Sequence, residues 1–217
     1  MAISEVYNED CMDYMRNIPD KFFDLAIVDP PYGIGEDWKK RNNGYKFKDT
    51  SYKNSPIKYA SYFDELKRIS KDQIIWGYNY YTQYLGNTNN NDVFKYSKCE
   101  IAYVSKKIPC NLVSIPWDGY RMGHETGKRK IHPHQKPLSL YLWILKNYAN
   151  PDDKIYDSHL GSGSIRIAAY KMGFDFYATE IDKEYFNAQD KRFKEECLGE
   201  IILPSGKKII QTSMFQL

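Results

Sequence analysis

Apolar positions along the chain recur with two periods, and each period predicts an element. Residues 2 to 8 read as a short strand, and Met12, Met15 and Ile18 follow at helical spacing. Phe22 to Val28 is an apolar run of strand length that stops at Asp29. Tyr59, Tyr62, Phe63, Leu66 and Ile69 return at three- and four-residue intervals and predict an amphipathic helix, after which Gln73 to Tyr78 reads as a strand. Gly86 to Asp92 is a turn-rich break, and Cys99 to Lys107 alternates like a further strand before a long loop-like stretch to Pro133. A helix is predicted with Pro137 in its first turn, Leu138, Tyr141, Leu142, Leu145 and Tyr148 on its apolar face, and Pro151 past its end.

The last third repeats the alternation. Lys154 to Asp157 is strand-like, Gly161 to Ser164 is a glycine-rich turn, and Ile165 to Met172 is a helix stopped by Gly173. Asp175 to Asp182 reads as a strand closing on Glu180 and Asp182, followed by a helix through Tyr185, Phe186 and Phe193. The end of the chain resembles a hairpin turned at Pro204, Ser205 and Gly206. Strands alternating with helices predict an α/β fold with a mostly parallel sheet covered by helices on both faces.

Composition narrows the class. At 217 residues and 42% hydrophobic, residues 1–217 are expected to bury one core as a single domain. No apolar stretch nears the roughly 20 residues of a membrane span, and an N-terminus carrying Glu5, Glu9 and Asp10 lacks a signal-peptide pattern, so a cytoplasmic location and no membrane partner are expected. Cys11, Cys99, Cys110 and Cys197 form no CxxC pair, and His132 and His134 have no ligand cluster around them, so no metal site is expected. The net charge of +3 says little, but its distribution says more. Residues 36 to 58 carry Lys39, Lys40, Arg41, Lys46, Lys48, Lys53 and Lys58 against three acids, and residues 106 to 130 carry Lys106, Lys107, Arg121, Lys128, Arg129 and Lys130 against two. Basic charge gathered in two loop-like segments is the footprint of a polyanion-binding face, with ordinary solvated loops as the plainer alternative.

Two loops sit at the carboxyl ends of predicted strands, where open α/β sheets bind ligands. One is Asp29 to Gly35, "DPPYGIG". The other is Asp157 to Ser164, with an acid at the strand end, glycines that admit a ligand to the backbone, and a helix start beyond. The next strand ends in Glu180, where a carboxylate can accept from ribose hydroxyls, so a nucleoside-containing cofactor is expected. The turn lacks both a full GxGxxG and a P-loop lysine, which favours neither a dinucleotide nor a triphosphate.

The segments "DLAIVDPPYGIG", "HPHQKPLSLYLWIL" and "DSHLGSGSIRIAAYKMGFDFYATEIDKEY" resemble, in that order, the beta group of the DNA amino-methyltransferases, which methylate the exocyclic amine of adenine or cytosine. The resemblance covers residues 4 to 33, 73 to 81 and 99 to 193. It implies a circularly permuted, Rossmann-like, S-adenosylmethionine-dependent methyltransferase fold, in which the chain begins near the third strand, passes through the fourth, the fifth and an antiparallel pair, and then lays down the first and second. That order places Asp29 and Asp157 on adjacent strands.

Carried over residue by residue, the resemblance implies that Asp29, Pro30, Pro31 and Tyr32 are the catalytic motif. Asp29 and the Pro30 carbonyl would accept the two hydrogens of the target amine, and Tyr32 would stack on a base flipped out of the duplex. It implies that Asp157, Gly161, Gly163 and Glu180 hold S-adenosylmethionine, that Gln135, Lys136 and Pro137 lie beside its amino-acid end, and that Asp10 reaches its adenine or else caps a helix. DNA is the implied partner, with Lys39, Lys40, Arg41, Lys128, Arg129 and Lys130 as contacts and the insertions 34–58 and 87–130 reading a recognition site of a few base pairs. A homodimer, as in some relatives, is left open. Asp at the first motif position favours adenine N6, because cytosine-N4 enzymes of the family more often have Ser there. Cytosine N4, an RNA or protein acceptor, and a binding protein without catalysis are the alternatives. The chain departs from the family pattern at Ser158-His159, where Pro-Phe is usual, and at Ser164 and His134, where Thr is usual.

Overall fold

The computed structural model describes residues 2–32, 60–85, 100–117, 125, 129–202 and 208–210. The basic residues Lys39, Lys40, Arg41 and Lys128, the asparagine-rich break and the Pro204 turn lie outside the described residues.

Strand β1 (Ser4–Tyr7) and helix α1 (Cys11–Arg16) lead into β2 (Phe23–Val28), followed by α2 (Ala60–Ile69), β3 (Ser70–Trp76), the short α3 (Thr82–Leu85) and β4 (Ala102–Val104). The second half comprises α4 (Leu138–Tyr148), β5 (Lys154–Asp157), α5 (Ser164–Met172), β6 (Asp175–Thr179), α6 (Lys183–Cys197) and the hairpin strands β7 (Glu200–Ile202) and β8 (Lys208–Ile210). The six-stranded sheet has the order β1-β6-β5-β2-β3-β4, with every pair parallel except β3–β4. This is the mostly parallel, permuted order that the sequence implied. From the central pair β5 and β2 the chain winds outward both ways, so the reversal point lies between Asp157 and the residue that follows β2, Asp29.

Alternation along β2 builds both layers. Leu25 and Ile27 join Ile74, Ile155 and Phe176 beneath Tyr141, Ile144 and Leu145 of α4 and Ile165 and Ala168 of α5. Ala26 and Val28 face the other way, with Ile75, Tyr156 and Tyr177, onto Met15 of α1 and Phe63, Leu66 and Ile69 of α2, and Phe23 at the first position of β2 joins this layer out of the alternation. Most of these side chains are fully buried, each worth roughly 1.5–3 kcal/mol of transfer free energy. Arg68, at the end of α2, fastens α1 to this layer by donating to the carbonyls of Met15 (2.7 Å) and Ile18 (2.8 Å). Among the described residues no helix is long and apolar enough to cross a membrane.

Several boundaries differ from expectation. β3 starts at Ser70 and ends at Trp76, because Gly77 takes a left-handed turn (φ +72°) and Tyr78–Tyr80 form a 3-10 turn. Pro137 caps α4 from outside with an extended ψ of 143° and is not part of its first turn. β6 ends at Thr179, and Asp182 caps α6 by accepting from the N–H groups of Glu184 and Tyr185. Of the expected antiparallel pair, the described residues contain the single strand β4.

Candidate active site

Strand ends bring the two predicted loops together. Asp29 leaves the end of β2, and the rigid Pro30-Pro31 turn directs Tyr32 back over it. The Tyr32 hydroxyl donates to Asp29 Oδ1, and the Tyr81 hydroxyl donates to the Pro31 carbonyl. Among the described residues no donor reaches the Pro30 carbonyl. The Tyr32 ring stacks on Tyr80 at 5.1 Å between centroids and 12° between planes. A Cβ on Gly77 would clash with the edge of the Tyr32 ring, so this glycine makes room for the tyrosine. Burial, then the charge and hydrogen bond of Asp29, hold the Tyr32 phenol far above its ordinary range.

Lys136 occupies the other side of Asp29. Its Nζ lies 3.1 Å from Asp29 Oδ2 and 2.6 Å from Glu100 Oε2, and it sits 4.8 Å above the Trp76 ring. Burial pulls this ammonium down, but Asp29 and Glu100 outweigh it and leave it above the usual lysine value. Lys136 therefore stands against the Asp29 carboxylate. Its carbonyl keeps the second connection, since it accepts from Ser164 Oγ (2.9 Å) in the glycine turn. Gln135 is buried and closes its own loop, accepting at Oε1 from Ile131 N (3.0 Å) and at its carbonyl from Trp117 Nε1 (3.0 Å).

The glycine turn follows β5. Gly161 (φ +53°) and Gly163 (φ +71°) both take left-handed conformations. The space left by their missing Cβ atoms is taken by the chain itself: His132 stands 3.4 Å from one position and Gln189 3.1 Å from the other. Glu180 accepts from Gly161 N (2.9 Å) on one oxygen and from Asp182 N (2.8 Å) on the other, so it ties the turn to the end of β6. Asp157 is 3% exposed and accepts from His159 N (3.0 Å), with no cation beside it among the described residues. Burial, reinforced by the charges of Asp29 and Glu180, pushes its carboxyl up to about 8. Asp10 caps α1, its Oδ1 accepting from Met12 N (2.7 Å), which is the alternative the sequence allowed.

The donor set fits a nucleoside cofactor with a cationic tail. A buried carboxylate with no cation beside it among the described residues favours an incoming positive charge, and a carboxylate oxygen can accept from hydroxyl groups. Of the basic residues, Arg129 is exposed, while Lys130 packs over Trp117 at 4.9 Å.

The sequence reading missed several supporting residues. Glu125, 4% exposed, accepts from Leu138 N (2.7 Å) and pairs with Arg192 (2.8 Å), which also donates to Ser162 O (3.1 Å) and Ser164 Oγ (2.9 Å). One residue of the 87–130 insertion is thereby anchored behind the glycine turn. Trp76, Tyr80, Glu100 and Glu125 carry no local motif, and only the helical position of Arg192 could have marked a side chain facing inward.

A permuted parallel sheet with a glycine turn and an Asp-Pro-Pro-Tyr turn on neighbouring central strands defines an α/β methyltransferase-type fold. The family model described as DNA methylase, covering N6 and N4 methyltransferases, matches residues 70–191, and the chain belongs to that family. The Asp29 turn lies ahead of the matched span. Among curated proteins, the chain is similar to the type II methyltransferase M.HpaI of Haemophilus parainfluenzae, 24% identical with 85% of this chain and 72% of the relative covered. It is also similar to the type II methyltransferase M1.MboII of Moraxella bovis, 23% identical with 86% and 95% covered. Among solved structures, the M1.HpyAVI–SAM complex superposes with a TM-score of 0.53 at 19% identity, covering 87% of this chain and 98% of that one. The cytosine-N4-specific PvuII DNA methyltransferase gives a TM-score of 0.57 at 14% identity, with 88% and 87% covered.

Proposed function

We propose that this DNA methyltransferase transfers a methyl group from S-adenosylmethionine to the exocyclic N6 amine of adenine in DNA. The observation that carries the reading is the placement of Asp29, with the Pro30 carbonyl next to it, across the sheet reversal from the buried Asp157. S-adenosylmethionine, when bound, supplies an electrophilic methyl group. Asp157 and Glu180 hold the cofactor's cationic and hydroxyl groups at the strand ends.

Asp29 does the orienting work. An adenine amine is a weak nucleophile because its lone pair is delocalised into the ring. Acceptance of its two hydrogens by Asp29 and the Pro30 carbonyl favours a pyramidal nitrogen with a directed lone pair, which is catalysis by positioning and fixed charge. In the structure Tyr32 donates to Oδ1 and Lys136 holds Oδ2, so the amine takes over the place of the Tyr32 hydroxyl while Lys136 keeps the carboxylate aimed. The freed Tyr32 ring then offers a face to the flipped base. The insertions 34–58 and 87–130, with their lysines and arginines, contact the DNA backbone and read a short site in cytoplasmic DNA.

Methylome mapping after expression in a methylation-free host tests the reading, with Asp29→Ala as control. N6-methyladenine in one short context, absent with the variant, is expected. N4-methylcytosine would establish the second reading, which the Asp at position 29 disfavours, and the absence of any modified base would overturn both.

A further inference from the structure

Ser158 and His159 follow Asp157 and precede the glycine turn, between the two halves of the site. Ser158 Oγ lies 2.6 Å from the Tyr62 hydroxyl and 2.8 Å from His159 Nδ1, and the His159 ring meets Tyr62 edge to face at 5.7 Å. Distances alone do not say which group donates, but the count of protons does. Tyr62 is 2% exposed, and Ser158 Oγ is the hydrogen-bond partner of its hydroxyl among the described residues. Were serine to donate to tyrosine, the phenol proton would be buried without an acceptor. Tyr62 therefore donates to Ser158 Oγ, and the serine proton goes to His159 Nδ1. With Nδ1 accepting, the single proton of the neutral imidazole must be on Nε2.

The Nε2–H group has no acceptor among the described residues. The titratable groups around this corner are Asp10 and Cys11 at the start of α1, Asp29 after β2, Tyr62 on α2 and Tyr156 and Asp157 on β5. Burial outweighs the carboxylates of Asp29 and Asp10 and pushes the imidazole down to about 4, so the ring is neutral across the physiological range.

We propose that His159 is a cofactor-binding residue that presents its Nε2–H to an acceptor atom of the bound S-adenosyl cofactor, with Ser158 and Tyr62 as positioning residues that fix its tautomer. A phenylalanine at this position would supply shape without a donor. The inference rests on the cofactor assignment above and is independent of which base is methylated.

Nitrogen-15 NMR of histidine-labelled protein, with calorimetric titration of S-adenosylhomocysteine, tests it. The expected result is a His159 ring protonated on Nε2 whose Nε2–H resonance moves when the ligand saturates the protein. His159→Phe weakens binding roughly 3- to 10-fold, the yield of one neutral hydrogen bond. His159→Gln, whose amide N–H can reach the Nε2 position, recovers most of the loss, and the shorter His159→Asn does not. A ring protonated on Nδ1, a resonance unmoved at saturation, or His159→Phe binding within twofold of wild type would overturn the proposal while leaving the cofactor assignment standing. Wild-type protein that fails to bind S-adenosylhomocysteine would overturn both. The tautomer is read on wild-type protein, so a variant that fails to fold does not block the test.

Discussion

Asp157 offers the sharpest test of the site's electrostatics. Its carboxyl is buried beside the negative charges of Asp29 and Glu180, accepts one main-chain hydrogen bond, and is pushed from 3.8 up to about 8. The folded state therefore holds this proton more tightly than the unfolded chain does. The stability it contributes is complete below the unfolded value and is lost as pH rises through the folded one. Between these limits the loss runs at about 1.4 kcal/mol per pH unit, or about 3 kcal/mol over the interval from pH 5.5 to 8. Asp157→Asn removes the ionisation and keeps the shape, so in the absence of cofactor its stability relative to wild type should climb by about that amount over the interval. Urea denaturation of both proteins at half-unit steps measures the difference directly. A wild-type-minus-variant difference that stays flat with pH would show that Asp157 titrates normally and that the burial argument fails.

Three further outcomes follow from the same geometry. At pH 7 the free protein holds Asp157 mostly protonated, so binding of the cationic cofactor should release close to one proton, read as a dependence of binding heat on buffer ionisation enthalpy; no dependence would place the cofactor's cation elsewhere. Gly77→Ala should destabilise the fold by roughly 1–3 kcal/mol through its positive φ and displace Tyr32, lowering methyl transfer; thermal melts and activity equal to the parent's would show that Tyr32 does not need that gap. Lys136→Met should destabilise by about 2 kcal/mol, since it strands Asp29 in a site where the carboxylate is 16% exposed. That deficit should fade at alkaline pH, where the raised Lys136 loses its own proton, and a deficit that stays constant there would argue against the ion pair.

What could be read early was what is local. β2 is legible because its residues are apolar on both sides, as a strand between two helical layers must be, and α5 is legible because Gly163 and Gly173 bracket it. The start of β3 is hidden in the sequence because its first residues, Ser70 to Asp72, are polar, and the strand follows α2 directly without a turn signal. The Asp29 and Asp157 turns were found because each motif is compact and stands at a strand end.

The sequence by itself determined the alternation of strands and helices, the two motif-bearing turns and their order along the chain, since these depend on spacing within a few residues. Only the tertiary structure decided that Lys136 and Glu100 converge on Asp29, that Tyr80 covers Tyr32 across Gly77, that Glu125 and Arg192 brace the glycine turn, and that Tyr62 and Ser158 meet His159. These pairs join residues from different elements, and whether they meet is set by how the helices pack on the two faces of the sheet. A charged or polar side chain carries no local mark of the distant partner that burial will require it to have.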